Sequence, residues 1–235
     1  KKQQATYNDE FLYAKQGAVA FVDALCQELS RDRLLTETEV LKIDIEKQEV
    51  YTSRGIFKYK YLINTMPIDK FLEKSTIEHA INFSYNQVLV FNLGFDSAPE
   101  DITYHWIYYP DKEICFYRVG FYNNILHSEK MSLYVELGFQ KGQKIQVDLW
   151  KERVLHDLRE VGIIAGQNLT ASNHIEMCPA YVHITKESQE EVKRMTDKLS
   201  EKNVFSIGRY GAWTYCSIED CIQQADKLRN DLVGK

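Results

Sequence analysis

One stretch near the C-terminus constrains the fold most strongly, because it passes from an apolar run through a glycine turn into a helix. The apolar run 204–207 predicts a short buried strand. Glycines at positions 208 and 211 bracket the aromatic-rich turn that follows it. Ser217 then stands three positions before Asp220, which is the spacing of a capping box that opens an amphipathic helix.

This strand, turn and helix have two interpretations. The first-turn N–H groups of a helix have no partner within the helix, and the helix dipole is positive there. The turn could therefore hold an anion or a polarised carbonyl group. The alternative is a plain connector between a strand and a surface helix, and the residues of the turn alone leave both interpretations open.

The composition is that of an ordinary soluble globular protein of 235 residues, long enough for one large domain or two small ones. The net charge of −5, without a lysine–arginine run, argues against a nucleic-acid surface. The sequence shows no signal peptide and no apolar run of membrane length, which predicts a cytoplasmic protein without a membrane span. Fifteen tyrosines and three tryptophans favour a cleft for a sugar, nucleotide or ring, although tyrosine-rich sheets also occur without ligands.

Motif spacing predicts no catalytic residue and no metal site. The sequence contains no P-loop, GxSxG or GxGxxG motif, and its six histidines lack metal-ligand spacing. Its five cysteines are odd in number and lack CxxC spacing, so we expect reduced thiols rather than disulfides. They are Cys26, Cys115, Cys178, Cys216 and Cys221.

Hydrophobic periodicity predicts an α+β fold, a mixed α/β arrangement that is rich in antiparallel strands. Predicted helices cover 18–29, 68–73, 147–161, 187–201 and the residues from 218 onward. Predicted strands cover 34–37, 40–45, 50–52, 56–59, 61–65, 87–95, 103–109, 114–119, 131–139, 175–185 and 204–207. Pro179 cannot donate to a ladder of hydrogen bonds, so 175–185 is predicted to be an edge strand.

Two predicted strands of the middle part have the residues of a cleft lining. Alternation places Trp106 and Tyr108 on one face of the sheet and Tyr109 on the other. Arg118 lies inside an apolar strand, where a guanidinium group needs an anionic partner. That partner is either a carboxylate of the protein or a phosphate or carboxylate of a ligand.

Residues 208–220 resemble the C-terminal flavin-binding segment of the UDP-galactopyranose mutase and protoporphyrinogen-oxidase-like branch of the flavin amine oxidase superfamily. Three further segments resemble the family in the same order: 11–18, 61–67 and 92–121. The first of these matches the pattern Phe-x-Tyr-Pro-Lys-x-Gly-Gly except at Ala14 and Ala18, which stand where the family has proline and glycine.

The resemblance implies a division of the chain. Residues 1–75 and 190–235 would be incomplete segments of an FAD domain, made of a β-meander, a strand and the C-terminal helix. Residues 76–189 would be a substrate or cap domain built on the antiparallel sheet. The family's glycine-rich N-terminal βαβ unit is not found in the sequence, so we expect a C-terminal part of a flavoprotein in which FAD binding is weak or absent.

The resemblance also implies a set of site residues. Gly208, Arg209 and Gly211 would lie along the FAD pyrophosphate and ribityl chain, with Tyr210 and Trp213 in the same cofactor-binding segment. The N–H groups around Ser217 and Ile218 would face the flavin pyrimidine. On the substrate side we expect Tyr108, Tyr109 and Arg118.

Two functions follow as expectations. The first is a fragment of an FAD-dependent oxidoreductase or sugar-nucleotide mutase, inactive by itself, that acts on a small molecule, with sugar nucleotides among the candidates. The alternative is a non-catalytic module that keeps the sheet and binds a sugar nucleotide or a protein. Apolar surface that faces the cofactor domain would favour self-association where it stays uncovered.

Overall fold

The computed structural model describes residues 12–78, 82–99 and 102–233. Phe11, the first residue of the segment 11–18, lies outside these ranges. Helix α1 spans Val19–Gln27, and an antiparallel three-stranded meander follows it. Its strands are β1 (Val40–Asp44), β2 (Glu49–Thr52) and β3 (Gly55–Lys58).

The strand predicted at 34–37 is wrong. Arg31–Arg33 form a short 3-10 helix, and the residues that follow do not pair with a neighbouring strand. Glu37 has a φ of +52°, in the left-handed region that an extended strand cannot contain. The prediction rested on the adjacent apolar residues Leu34 and Leu35, but the backbone turns just after them, at Glu37.

A two-stranded parallel sheet joins distant parts of the chain. It pairs β4 (Leu62–Asn64) with β10 (Val204–Ser206). Helix α2, Ile68–Lys74, follows β4 after Pro67. Parallel pairing needs a long connection between its two strands. Here the connection from β4 to β10 contains the whole central sheet and the helices around it.

The central sheet has five antiparallel strands in the order β6-β7-β8-β5-β9. They are β5 (Tyr85–Phe95), β6 (Trp106–Tyr108), β7 (Arg118–Phe121), β8 (Ser132–Gln140) and β9 (Leu169–Val182). The antiparallel prediction is confirmed, and β9 lies at an edge as Pro179 predicted. The observed fold is the predicted mixed α+β class.

Five further helices complete the described chain. They are α3 (Tyr122–Leu126), α4 (Val147–Glu160), α5 (Lys186–Ser200), α6 (Gly208–Gly211) and α7 (Ile218–Val233). Periodicity predicted α4, α5 and α7, whereas α3 and α6 replace predicted turns. None of the helices in the described ranges is long and apolar enough to cross a membrane.

Two clusters of buried side chains hold the elements together. The larger one fills the space between one face of the central sheet and α4, and includes Phe91, Val135 and Leu158. The second packs α2 and α5 against the meander and the parallel strand pair, and includes Phe71, Met195 and Trp213. Strand β5 begins in the second cluster at Tyr85 and continues into the first at Leu89.

Helix α1 has the predicted apolar side chains, but the structure does not bury them. No residue of α1 is buried, and Phe21, Val22, Leu25 and Leu29 are each about half exposed. Periodicity predicted the helix and its apolar face correctly, and the described part of the chain leaves that face about half exposed.

Candidate functional site

The C-terminal turn is positioned by the parallel strand pair. The Asn64 side chain donates a hydrogen bond to Ser206 Oγ at 3.0 Å, which ties the end of β4 to the end of β10. Gly208 opens α6 with a φ of +78°, a conformation that favours glycine. Its N–H donates to the side-chain oxygen of Gln224 on α7 at 2.8 Å.

Gly211 allows a close approach between α6 and β4. A Cβ atom at this position would lie 2.7 Å from the backbone oxygen of Asn64. Backbone atoms cannot move aside as a flexible side chain can, so only glycine fits without displacing the helix. The glycine predicted to lie beside a ligand thus has a packing role in the structure.

The predicted capping box at the start of α7 is confirmed. The Asp220 N–H donates to Ser217 Oγ at 3.1 Å, and the Asp220 carboxylate accepts the Ser217 N–H at 2.7 Å. The backbone and side-chain hydrogen bonds from Ser217 lower the pKa of Asp220. The Ser217 N–H is therefore engaged by a carboxylate, and the negative charge of Asp220 offsets part of the helix dipole.

Arg209 provides positive charge beside this helix start. Its guanidinium lies 5.4 Å from the ring centre of Tyr181 and 4.6 Å from that of Tyr215. Its Nη1 donates to the backbone oxygen of Cys216 at 3.4 Å. Within the described ranges, no carboxylate comes within 4 Å of Arg209, so its charge is not neutralised by an ion pair.

Tyr210 and Trp213 anchor the turn to the rest of the fold. The Tyr210 hydroxyl donates to the backbone oxygen of Ala180 on β9 at 3.2 Å. Trp213 is only 2% exposed and packs edge-on against Phe83 at 4.9 Å between ring centres. Both side chains fix the positions of Arg209 and of the start of α7. Ile218, the first residue of α7, is exposed to solvent.

A second feature, the sheet-face cleft, lies on the face of the central sheet opposite α4. Its volume is about 530 Å³, and Tyr13 of the N-terminal segment lies at its border. Aromatic rings of Trp106, Tyr122 and Tyr134 line it. Its apolar residues are Val90, Ile125, Ile175 and Met177, and its polar ones are Asn92, Arg118 and Glu136.

Arg118 has a protein carboxylate as its partner. Strand register places it directly opposite Glu136, and its Nε donates to Glu136 Oε1 at 3.0 Å, with Nη2 donating to the same oxygen. Burial alone would lower the pKa of Arg118, but hydrogen bonds to Glu136 and Tyr108 raise it overall. Of the two partners that the sequence left open, the structure contains the carboxylate.

Tyr134 and Gly120 shape the floor of the cleft, and sequence reasoning missed both. The two residues are opposite each other in the register of β7 and β8. A Cβ atom on Gly120 would lie 1.9 Å from the Tyr134 ring, so the ring occupies the space that a side chain at position 120 would need. The sequence did contain a signal for the partner of Arg118. Glu136 is a carboxylate inside an apolar strand, just as Arg118 is a cation inside the neighbouring one.

The three residues predicted for the substrate side are separated by the sheet. Tyr108 lies next to Arg118 and accepts a hydrogen bond from its Nη1 at 3.3 Å. Tyr109 lies on the opposite face, edge-on to Phe116 at 5.2 Å, in contact with the larger core. Burial raises the pKa of the Tyr109 hydroxyl.

Strand β9 connects the C-terminal turn with the sheet-face cleft. Ile175 and Met177 line the cleft, and Tyr181 on the same strand stacks on Arg209. The described residues contain no cluster of three histidine, cysteine or carboxylate side chains with the geometry of a metal site. Together, the C-terminal turn and the sheet-face cleft can hold an anion at Arg209 and an apolar ring on the sheet.

A family model described as flavin-containing amine oxidoreductase matches residues 3–227. A reduced UDP-galactopyranose mutase structure aligns over 85% of this chain and 47% of its own, with a TM-score of 0.76 and 20% identity. A structure described as a protoporphyrinogen oxidase from Exiguobacterium sp. 255-15 aligns over 93% and 51%, with a TM-score of 0.76 and 13% identity. A CLA-producing fatty acid isomerase from P. acnes aligns over 92% and 52%, with a TM-score of 0.68 and 15% identity.

The chain thus spans about half the length of these solved structures, and the likeness shows a shared fold. No curated protein sequence matches this one.

Proposed function

Because the chain belongs to the flavin-containing amine oxidoreductase family, we propose that it supplies the substrate side and one edge of the flavin site of an FAD-dependent oxidoreductase or sugar-nucleotide mutase. The observation that carries this proposal is the uncompensated charge of Arg209 between two tyrosine rings. A half-buried cation without a carboxylate partner is suited to the pyrophosphate of a dinucleotide.

The residues of the C-terminal turn fit such a group. Gly208, Arg209 and Gly211 would lie along the pyrophosphate and ribityl chain of FAD, and Tyr215 offers an exposed ring beside them. Since the Ser217 N–H is engaged by Asp220 and the Asp220 N–H by Ser217 Oγ, the N–H groups of Ile218 and Glu219 are the first-turn donors left to face the flavin pyrimidine. The bound flavin would supply the electron transfer that no side chain of this chain provides.

The sheet-face cleft has the position and chemistry of a substrate site in this proposal. Its Tyr134 and Trp106 rings offer flat contact area for a ring of the substrate. Arg118 and Glu136 hold the floor of the cleft rigid through charge-assisted hydrogen bonds. The chain therefore binds and orients, and the chemistry belongs to the cofactor.

The proposal is tested by titrating the chain with FAD and following flavin fluorescence anisotropy. We expect weak binding, because the chain spans about half of the related solved structures. Arg209→Gln removes one charge-assisted contact and should weaken FAD binding about tenfold. Since the contact is ionic, wild-type binding should also weaken as the salt concentration rises.

Arg229→Gln is the matched control, because Arg229 is an exposed arginine on α7 whose partner is Asp226. It should leave FAD binding unchanged. Equal FAD affinity of the wild type and Arg209→Gln would contradict the proposal. Saturable sugar-nucleotide binding without FAD binding would instead support the non-catalytic module.

A further inference from the structure

The charges of the sheet-face cleft cancel within the protein. Arg118 and Glu136 are the only charged side chains among its described lining residues, and they neutralise each other. Glu136 is 5% exposed, and its second oxygen accepts the Tyr117 hydroxyl at 2.5 Å. Both oxygens of the carboxylate are therefore already engaged.

An anionic ligand gains little from this arginine. The guanidinium donates to Glu136 from Nε and Nη2 and to Tyr108 from Nη1, and it also lies 5.6 Å from the ring centre of Tyr134. Three of its five N–H groups are therefore used, and a ligand carboxylate or phosphate could take their place only by displacing Tyr108 or Glu136. Displacing Glu136 would leave a buried carboxylate without its cation, which is strongly unfavourable.

A cationic ligand meets the converse obstacle. The carboxylate that would attract it is occupied by Arg118 and Tyr117, and Arg118 would repel it. The guanidinium also lies over the rings of Tyr108 and Tyr134, which would otherwise attract a cation. Arg209 differs from Arg118, because no described carboxylate neutralises its charge.

The rest of the cleft is suited to an uncharged ring. The Tyr134 ring covers Gly120, and the Tyr122 ring packs against the Tyr134 ring at 5.1 Å between ring centres. Asn92 adds a neutral amide that can donate and accept hydrogen bonds. Aromatic surface with neutral polar groups favours a ring that bears hydroxyl or carbonyl groups.

We infer that the sheet-face cleft selects an electroneutral, ring-containing group of the substrate and disfavours both anions and cations. The inference rests on the proposed function in taking the occupant of this cleft to be the substrate. A sugar nucleotide would then place its sugar or base in the cleft and its diphosphate outside it.

Three probes of one shape and different charge test the selectivity: 1-naphthalenemethanol, 1-naphthoate and 1-naphthylmethylamine. Their dissociation constants for the flavin-free chain at pH 7 are measured by saturation-transfer NMR. We expect the alcohol to bind at least about tenfold more tightly than either charged probe. Trp106→Ala and Tyr134→Ala should weaken its binding, because both rings line the cleft.

Single-charge variants should reverse the preference in opposite directions. Glu136→Gln leaves Arg118 unpaired, so naphthoate should become the tightest probe. Arg118→Gln leaves Glu136 unpaired, so the naphthylmethylamine should become the tightest probe. The double variant is again electroneutral and should prefer the alcohol.

Glu191→Gln is the matched control, because Glu191 is a buried glutamate that two donors of Arg194 hold on α5. It should leave the order of the three probes unchanged. Wild-type binding of naphthoate or the amine as tight as that of the alcohol would overturn the inference, and so would no binding of any probe. These outcomes are independent of the FAD titration, so selective binding of the alcohol by a chain whose FAD affinity is unchanged by Arg209→Gln would overturn the proposed function alone.

Discussion

Arg118 and Arg209 show how neighbouring side chains determine what an arginine can bind. Each guanidinium contacts two tyrosine rings, at 4.6 to 5.8 Å from the ring centres. Glu136 neutralises the first, whereas no described carboxylate lies within 4 Å of the second. The first therefore acts as a part of the sheet, and the second remains available to an anion.

The contact between Gly120 and Tyr134 gives the first prediction at the scale of the residue. Gly120→Ala places a Cβ atom 1.9 Å from the Tyr134 ring, so the ring must leave the floor of the cleft. We expect the free energy of unfolding, measured in urea, to fall by about 1–3 kcal/mol. Gly166→Ala is the control, since nothing lies within 4 Å of its Cβ position. Equal stability of the two variants would refute the close contact.

The thiols of Cys115, which is partly buried, and Cys216, which is buried, give a second prediction. Burial, with a hydrogen bond to Asp157, raises the pKa of Cys115 to about 12, and burial beside Cys221 raises that of Cys216 to about 11. Both thiols stay protonated at pH 8, and only thiolates react with iodoacetamide. Peptide mass spectrometry of the native protein should find the exposed Cys178 alkylated and these two unmodified. Labelling of Cys216 as fast as Cys178 would contradict the burial.

Sequence reasoning reached some of these residues and missed others for a physical reason. Alternation along one strand separated Tyr108 from Tyr109, because a period of two residues needs only local information. The pairing of Arg118 with Glu136 depends on the register between two strands, which the connecting segment sets. The register cannot be inferred from either residue alone, so Glu136 was not identified as the partner of Arg118.

The start of α7 is the element whose local chemistry is most fully defined. Ser217→Ala removes the oxygen that accepts the Asp220 N–H. We expect the free energy of unfolding to fall by about 1 kcal/mol. Ser128→Ala, at an exposed serine outside the helices, should change it by less than about 0.5 kcal/mol. A loss no larger than that of the control would show that the capping box contributes nothing to stability.

Elements with a long periodic pattern were predictable, and short ones were not. Helices α4 and α7 follow from apolar spacing over 14 and 16 residues. Helix α6 has only four residues with a glycine at each end, a composition that indicates a turn. Helix α1 was predicted from its own pattern, but burial of its face depends on residues elsewhere.

At the scale of the whole molecule, Asp157 links α4 to the segment before β7. Its carboxylate accepts the Cys115 N–H at 2.8 Å and the Arg153 Nε at 3.0 Å. Burial would raise the pKa of Asp157, but these hydrogen bonds outweigh it and lower the pKa. Because the pKa is lower in the folded state, the charged form stabilises the protein above the ordinary carboxyl pKa of about 3.9.

Asp157→Asn should lower the free energy of unfolding at pH 7 by about 2 kcal/mol, since it breaks a buried charged contact. The difference from the wild type should shrink as the pH falls from about 3.9, the pKa of the unfolded carboxyl, through the lower pKa of Asp157 in the folded state. Urea unfolding at several pH values measures it. Asp148→Asn, at an exposed position of the same helix, should show a smaller difference. A pH-independent difference for Asp157→Asn would contradict the role of the charge.

The division of the chain at residues 75/76 and 189/190 stays a prediction. The two buried clusters share β5, whose first residue, Tyr85, belongs to one and whose later residues belong to the other. Sequence patterning indicated where the composition changes. It could not indicate that one strand would serve both cores, because that depends on packing between distant segments.

The course of β9 has a thermodynamic consequence. One continuous strand contributes Met177 to the cleft and Tyr181 to the cation stack on Arg209. A group bound on the sheet that shifts this strand also changes how Arg209 is held. By the reciprocity of linked equilibria, the factor by which the first ligand alters affinity for an anion equals the factor by which the anion alters affinity for the first ligand. The effect of a cleft ligand on anion affinity at Arg209 and the effect of the anion on affinity at the cleft are thus two measurements of a single coupling free energy.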